Sequence, residues 1–412
     1  MNRILGNIIL VTMFLTSLVG CDSPSFNLAS VSDQFSQSVS VNNKVDIIWI
    51  VDGSGTMATH QDNLAQNFAG FIKQFRDKGF DFNMVVASND AWVREENYNA
   101  ASCFLFYDPL HPMYSPNGPN PSESPSNLYV SSADCEGTLA TWGELTTFRD
   151  GDIYGSIGGG AGARSGQYII TSDMDDQEML QVFQTNVKTG TRGDGVAEST
   201  LSSLRAVLRR DADGKRIYSG ETHTVLDSFR RPDAFLAVIT VSDEEDQSRI
   251  FGSIDKYTDS VTYTADFMRF LDGYTGVTDP SERRYSISGI ILKDIQNCPY
   301  QLHAQVSESP FVIAAAEATR GVTGEICSPD FYKDLEDIAE KVITLATRFV
   351  LTSKPVVSTI VVLVDGQNIE QDPVNGWTYI EEQGKHYIEF NGSSVPSETS
   401  IVSVDFTPAG LK

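Results

Sequence analysis

A chain of 412 residues exceeds one ordinary domain and suggests two. Hydrophobic residues at 41% and charged residues at 21% describe an ordinary globular protein with enough apolar content for a packed core. The formal charge of −25 argues against nucleic acid, whose phosphates need Lys and Arg; it favours cationic partners and disfavours anionic lipid head groups.

Residues 1–20 read as a targeting segment. Arg3 is its only charge, an apolar stretch runs from Ile4 through Val19, and Leu18-Val19-Gly20-Cys21 closes it with a small residue before the cut. Those last four residues resemble a bacterial lipobox, which implies that Cys21 is the first mature residue and carries a lipid. A protein of the bacterial cell envelope, anchored to a membrane through Cys21, is the expectation. No other stretch approaches the ~20 apolar residues that span a bilayer. Residues 21–43 are rich in Ser, Asn and Gln and read as a flexible tether.

Ile47 to Met57, Ile-Ile-Trp-Ile-Val-Asp-Gly-Ser-Gly-Thr-Met, is the most informative stretch. A strand buried on both faces reads as a continuous apolar run, and in open α/β sheets ligands sit beyond the carboxyl ends of the strands. The run from Val45 to Val51 therefore delivers the Asp52 carboxylate and the Ser54 and Thr56 hydroxyls to such a place. Hard oxygen donors with no His or Cys suit Mg²⁺, Mn²⁺ or Ca²⁺. A helix follows, with Leu64, Phe68, Phe71, Ile72 and Phe75 on one apolar stripe. A strand over Phe82–Ala87 completes a parallel crossover unit.

From about 91 to 167 the pattern stops in a long insert rich in Ser, Pro, Asn, Gly and Tyr. A short edge strand over Tyr168–Thr171 and helices over Gln177–Asn186 and Val196–Arg209 come next. The strand Ala234–Val241 ends in Ser242 and Asp243; a helix near Tyr263–Leu271 and a strand Tyr285–Leu292 continue the alternation. A last helix is expected with Ser328 as cap, Pro329 in its first turn, and Phe331, Leu335, Ile338, Val342, Leu345 and Phe349 as its buried stripe. Beyond it, residues 351–412 carry short alternating runs separated by Asp365-Gly366, Asn375-Gly376, Gln383-Gly384 and Asn391-Gly392, the signals of hairpin turns. They predict a small antiparallel β-sandwich-like domain.

Beside Cys21, the chain has Cys103, Cys135, Cys298 and Cys327, an even number that in an exported protein suggests disulfides with three possible connectivities. The pairs closest in sequence are Cys103–Cys135 and Cys298–Cys327. Zinc is disfavoured, since no Cys-x-x-Cys occurs and the His residues are scattered.

The Asp52-x-Ser54-x-Thr56 loop after its apolar strand, with the second strand-plus-acid ending at Asp243, resembles the metal-ion-dependent adhesion site of von Willebrand factor A (vWA) domains, whose signature is Asp-x-Ser-x-Ser. Thr56 departs from the commonest form but keeps a hydroxyl. The resemblance covers about residues 43–350. It implies an α/β, Rossmann-like, mostly parallel sheet flanked by helices over 44–350, with one divalent ion held by Asp52, Ser54, Thr56, Asp243 and a hydroxyl from the Lys188–Gly195 loop. Thr191 is the choice there; Thr189, Asp194 and Glu198 are alternatives. It also implies that an open coordination position grips a partner, a protein or other surface macromolecule that can supply a carboxylate.

The remaining motifs are bland. Arg192-Gly193-Asp194 matches an integrin-recognised tripeptide but sits in the expected metal loop, and a three-letter match is read as coincidence. The acidic clusters Asp173–Glu178 and Asp243–Asp246 lack EF-hand spacing and read as helix starts or solvated faces. No Gly-x-Ser-x-Gly elbow, His-Glu-x-x-His or phosphate-binding loop occurs, so an enzyme is not expected. Two other readings stay open: a metal-free envelope scaffold, and a hydrolase built on Ser54.

Overall fold

The structure is a computed structural model that describes residues 35–40, 42–89, 169–189, 200–208, 229–231, 233–246, 260–296, 298, 308–397 and 400–410. Four apolar runs form its centre: β2 (Lys44–Val51), β3 (Asp81–Ser88), β5 (Phe235–Ser242) and β6 (Tyr285–Ile291). They are buried almost throughout, as strands covered on both faces are. Two short strands complete the sheet, β4 (Ile170–Thr171) and β7 (Thr323–Glu325). The order is β4-β3-β2-β5-β6-β7, parallel except for β4.

Side chains along β2 alternate between two cores. Val45, Ile47, Trp49 and Val51 pack under α1 (Ala58–Asp77), α2 (Asp176–Asn186) and α6 (Tyr332–Ala346). Ile48 and Ile50 pack on the other side under α3 (Thr200–Leu208), α4 (Ser260–Thr275) and α5 (Pro310–Thr319). The α1 stripe is fully used: Phe71 meets the Trp49 ring edge-on at 5.1 Å. At the sheet's amino edge the buried Asp46 carboxylate accepts from Arg230 at 3.0 Å and Arg231 at 2.9 Å. Burial raises the Asp46 pKa, and Arg231 and Arg230 pull it back.

The carboxyl-terminal residues build two antiparallel sheets. One is β11 (Trp377–Glu382), β12 (Lys385–Phe390) and β8 (Phe349–Leu351). The other joins β13 (Ile401–Phe406), β9 (Val361–Val364) and β10 (Gln367–Ile369) to a strand from far upstream, β1 (Phe35–Ser40). Val362, Trp377, Ile388, Phe390, Val402, Val404 and Phe406 share their core. Asp365-Gly366 and Gln383-Gly384 turn two of the hairpins with positive φ at both residues, 51° and 79°, then 49° and 79°. That is the two-residue turn whose twist matches the strands.

Several sequence expectations need correction. Residues 21–43 are not all tether: Phe35–Ser40 pairs along its length with β13, whose outer edge would otherwise leave backbone groups unpaired. The last helix starts at Tyr332, held by the Asp330 carboxylate accepting from the Tyr332 N–H at 2.8 Å; Ser328 and Pro329 lie before it. Its stripe stops at Leu345, because the chain leaves the helix at Thr347 and Phe349 opens β8 in the third core. Asn391-Gly392 enters a short 3-10 turn, Gly392–Ser394, and makes no hairpin. Cys298 and Cys327 form a disulfide with Cα atoms 5.3 Å apart. Cys103 and Cys135, Cys21, and the body of the 91–167 insert lie outside the described residues.

The two domains meet at the amino edge of the large sheet. The Lys78 ammonium donates to the Gly392 carbonyl, the Tyr387 hydroxyl donates to the Ser281 carbonyl at 2.6 Å, and Lys385 pairs with Glu282 at 3.0 Å. Arg320 reaches Glu382 at 2.7 Å.

Candidate metal centre

The chain steps from β2 to β3 on one side and to β5 on the other, so the strand order reverses between β2 and β5. The crevice beyond the carboxyl ends at such a reversal is where open α/β sheets bind ligands. Asp52 leaves β2 there and Asp243 leaves β5. The Asp52 N–H donates to the Val241 carbonyl at 2.9 Å, which sets the two strand ends side by side.

The Asp52 carboxylate is buried and engaged at both oxygens: Oδ1 accepts from the Ser54 N–H and Oδ2 from the Ser242 hydroxyl, each at 2.7 Å. Its carbonyl is held from beneath by Gln61 Nε2 at 2.7 Å and the Thr189 hydroxyl at 3.2 Å. Asn89, at the end of β3, accepts the Gly53 N–H on Oδ1 at 3.2 Å. The loop then turns through a 3-10 step, Gly55–Met57, that brings the Ser54 and Thr56 hydroxyls within 3.0 Å of each other.

Asp243 is 2% exposed, and its Oδ1 is buried with no hydrogen-bond partner among the described residues. Burial, and secondarily the Asp52 charge, push its pKa up to about 6, against a lowering hydrogen bond from Thr56. Two buried carboxylates that repel each other, one with an orphaned oxygen and both beside paired hydroxyls, form a donor set that fits a hard divalent cation. Among the described residues no group of three or more His, Cys, Asp and Glu is placed to hold a metal, so the hydroxyls are needed to complete this set.

Asp52, Ser54, Thr56 and Asp243 lie together at the carboxyl ends of β2 and β5. Thr191, Asp194 and Glu198 lie outside the described residues. Thr189 reaches the centre, but its buried hydroxyl is committed to the Asp52 carbonyl and to Gln61 at 3.0 Å, so it acts as a strut. Ser242, Gln61 and Asn89 were missed by sequence reasoning. Only Ser242 carried a signal, its place between an apolar strand and an acid.

The acidic runs have structural work. Asp175 caps α2, accepting from the Gln177 N–H at 2.9 Å. Glu245 accepts from the Phe311 N–H at 3.3 Å and Asp246 from the Leu201 N–H at 3.5 Å, in the first turns of α5 and α3. Burial first, then the charges of Asp52 and Asp243, raise Glu244 to about 8; burial does the same for Glu245, also to about 8.

No protein-family model and no curated protein sequence matches the chain. Among solved structures it is similar to the SpaC pilus adhesin of Lactobacillus rhamnosus GG, with 10% identity over 92% of this chain and a TM-score of 0.34. It is similar to proximal thread matrix protein 1 from the mussel byssus with a zinc-occupied MIDAS motif, at 10% identity over 77% of this chain and a TM-score of 0.29. A third likeness is to the ArnB paralog VWA2 of Sulfolobus acidocaldarius, at 9% identity over 91% of this chain and a TM-score of 0.28. The chain spans 42%, 51% and 62% of the lengths of these three. Likenesses this remote carry no functional argument. The chain's own strand order makes the large domain an α/β fold with a mostly parallel six-stranded sheet, with a smaller antiparallel β domain beside it.

Proposed function

We propose that this protein binds a macromolecular partner through one divalent cation, Mg²⁺ or the similar Mn²⁺ or Ca²⁺, held in the crevice between β2 and β5. Asp52, Ser54, Thr56 and Asp243 hold the ion, and a hydroxyl from the loop around Thr191 adds to them. The observation that carries this reading is the orphaned, buried Oδ1 of Asp243 facing a second buried carboxylate, an arrangement that needs a cation to balance it. When bound, such an ion supplies a Lewis-acidic position for an anionic oxygen of the partner. The chain's own residues orient that position: Ser242, Gln61, Thr189 and Asn89 fix the Asp52 loop.

The insert at 91–167 leaves from this rim, since Ser88 ends β3 beside Val51, and it returns through β4 antiparallel to β3. Its aromatic residues, among them Trp92, Tyr98, Phe104 and Tyr107, suit an interface. The protein acts in this reading as a binding protein of the bacterial envelope, held to a membrane by a lipid on Cys21, and not as an enzyme.

Calorimetry with Mg²⁺ and Mn²⁺ tests the centre. Heat of binding is expected from the wild-type chain and none from Asp52→Ala. Absence of heat from the wild type at millimolar metal would favour the metal-free scaffold.

A further inference from the structure

Ser309 stands at the N-cap of α5, directly before Pro310, and is fully buried. A serine in that place ordinarily turns its hydroxyl onto the N–H groups of its own first turn. Ser309 does not. Its side chain makes no capping bond, and its hydroxyl donates instead to the Glu244 carbonyl at 2.9 Å. The acceptor that the helix then lacks comes from the same loop: Glu245 Oε2 accepts from the Phe311 N–H at 3.3 Å, while Oε1 accepts from the Asp246 N–H at 2.8 Å. The loop after β5 and the start of α5 thus cap each other, the reciprocal logic of a capping box carried across two segments. The Ser309 N–H donates to the Leu292 carbonyl at 3.0 Å, which pins this helix start to the exit of β6.

Asp243 is the residue of that loop with most need of an outside hold. Its carboxyl takes a hydrogen bond from Thr56, but its Oδ1 has no partner among the described residues. Its place is therefore set largely through its backbone. Glu244 follows directly, with its carbonyl on Ser309 and its N–H on the Ser242 Oγ at 3.1 Å. That same Ser242 hydroxyl donates to Asp52 Oδ2 at 2.7 Å. One hydroxyl on α5 thus holds the peptide next to Asp243 and is tied through Ser242 to the Asp52 carboxylate. We propose that Ser309 is a positioning residue of the metal centre, its hydroxyl diverted from its own helix to hold the Asp243 loop at the spacing a divalent cation needs. This rests on the metal-binding reading above. Mg²⁺ demands near-ideal geometry and short ligand distances, so a small displacement of Glu244 is read out as metal affinity.

Calorimetry on the full-length chain compares Mg²⁺ binding by the wild type, Ser309→Ala and Thr319→Val, with urea unfolding in chelator alongside. Thr319 ends α5, about 15 Å from Ser309 at 1.5 Å per residue. Its buried hydroxyl accepts from the Ile287 N–H at 2.9 Å and donates to the Ala315 carbonyl at 2.8 Å. Thr319→Val therefore removes a buried hydroxyl from the same helix without touching the loop. Ser309→Ala is expected to weaken Mg²⁺ binding about tenfold, the equivalent of one hydrogen bond, and Thr319→Val less than about twofold, at comparable losses of stability. Wild-type affinity in Ser309→Ala, or equal weakening in both variants, overturns the positioning role. If Ser309→Ala does not fold, Glu245→Ala breaks the other half of the contact from the half-buried loop side, with the same expectation and the same refuting result. No heat from the wild type overturns the metal reading and this proposal with it. Wild-type heat with an unchanged Ser309→Ala overturns this proposal alone.

Discussion

Replacing Asp243 with Asn should stabilise the metal-free protein while removing its metal. In the folded chain the carboxyl of Asp243 titrates at about 6 against an ordinary 3.8, chiefly from burial and then from the Asp52 charge. At about 1.4 kcal/mol per pH unit, holding that group ionised at pH 7 costs about 3 kcal/mol of folding stability. Asn has nearly the same shape, carries no charge, and offers an N–H towards the neighbouring carboxylate. The sign follows from linkage. A carboxyl whose folded pKa is raised destabilises fully above about pH 6, and the penalty fades as the pH falls towards 3.8 and is gone below it. Urea unfolding in chelator, at pH 7 and again near pH 4, should therefore show Asp243→Asn more stable by up to about 3 kcal/mol at the first pH and equal at the second. Mg²⁺ at a thousand times its Kd should reverse the ranking, because it then adds about 4.1 kcal/mol to a protein that binds it. A variant no more stable than the wild type in chelator at pH 7, or one that still gains stability from Mg²⁺, refutes the reasoning.

Two further outcomes test the frame that carries the site. Arg231→Ala leaves the buried Asp46 with a lost partner and should lower stability by about 3–5 kcal/mol in urea unfolding, with Asp46→Asn in the same chain recovering part of it. Gly321→Ala puts a Cβ 1.7 Å from the Ile287 carbonyl oxygen, so a loss of about 1–3 kcal/mol or more is expected. An unchanged thermal midpoint there would mean that the approach of the α5–β7 turn to β6 is looser than described.

The parts of the fold legible in the sequence are those where a single local signal is strong. The run Ile47–Val51 could only be a buried strand, and it placed Asp52, Ser54 and Thr56 at a strand end. The α1 stripe and the Asp-Gly and Gln-Gly turns were equally plain. β1 was not, because Phe-Ser-Gln-Ser-Val-Ser has a polar texture and its reason to be a strand is the open edge of β13, 361 residues later at closest register. α5 was missed because Phe-Val-Ile-Ala-Ala-Ala is apolar on every side, so no stripe of helical period stands out. Phe349 continued the spacing of the α6 stripe, and nothing local shows that Thr347 ends the helix by donating its hydroxyl to the Ile343 carbonyl. At the metal centre the donors were legible while their supports were not. Gln61, Asn89 and Thr189 acquire meaning only when three loops converge on one carbonyl and one N–H.

Those supports explain why the two carboxylates of the centre differ. Asp52 has both oxygens and its carbonyl engaged by Ser54, Ser242, Gln61 and Thr189, so its position is set by the fold with or without a cation. Asp243 has an oxygen without a partner among the described residues and a pKa raised towards neutrality, so it is the unstable half of the pair. A site with both acids satisfied internally would have little reason to bind an ion. One with both unsatisfied would protonate or lose its geometry. Fixing one and leaving the other short of a partner keeps the crevice formed while retaining the electrostatic demand that a cation meets. The stability forgone at Asp243 is then the source of the affinity, and this is why the same substitution is expected to strengthen the fold and abolish the site.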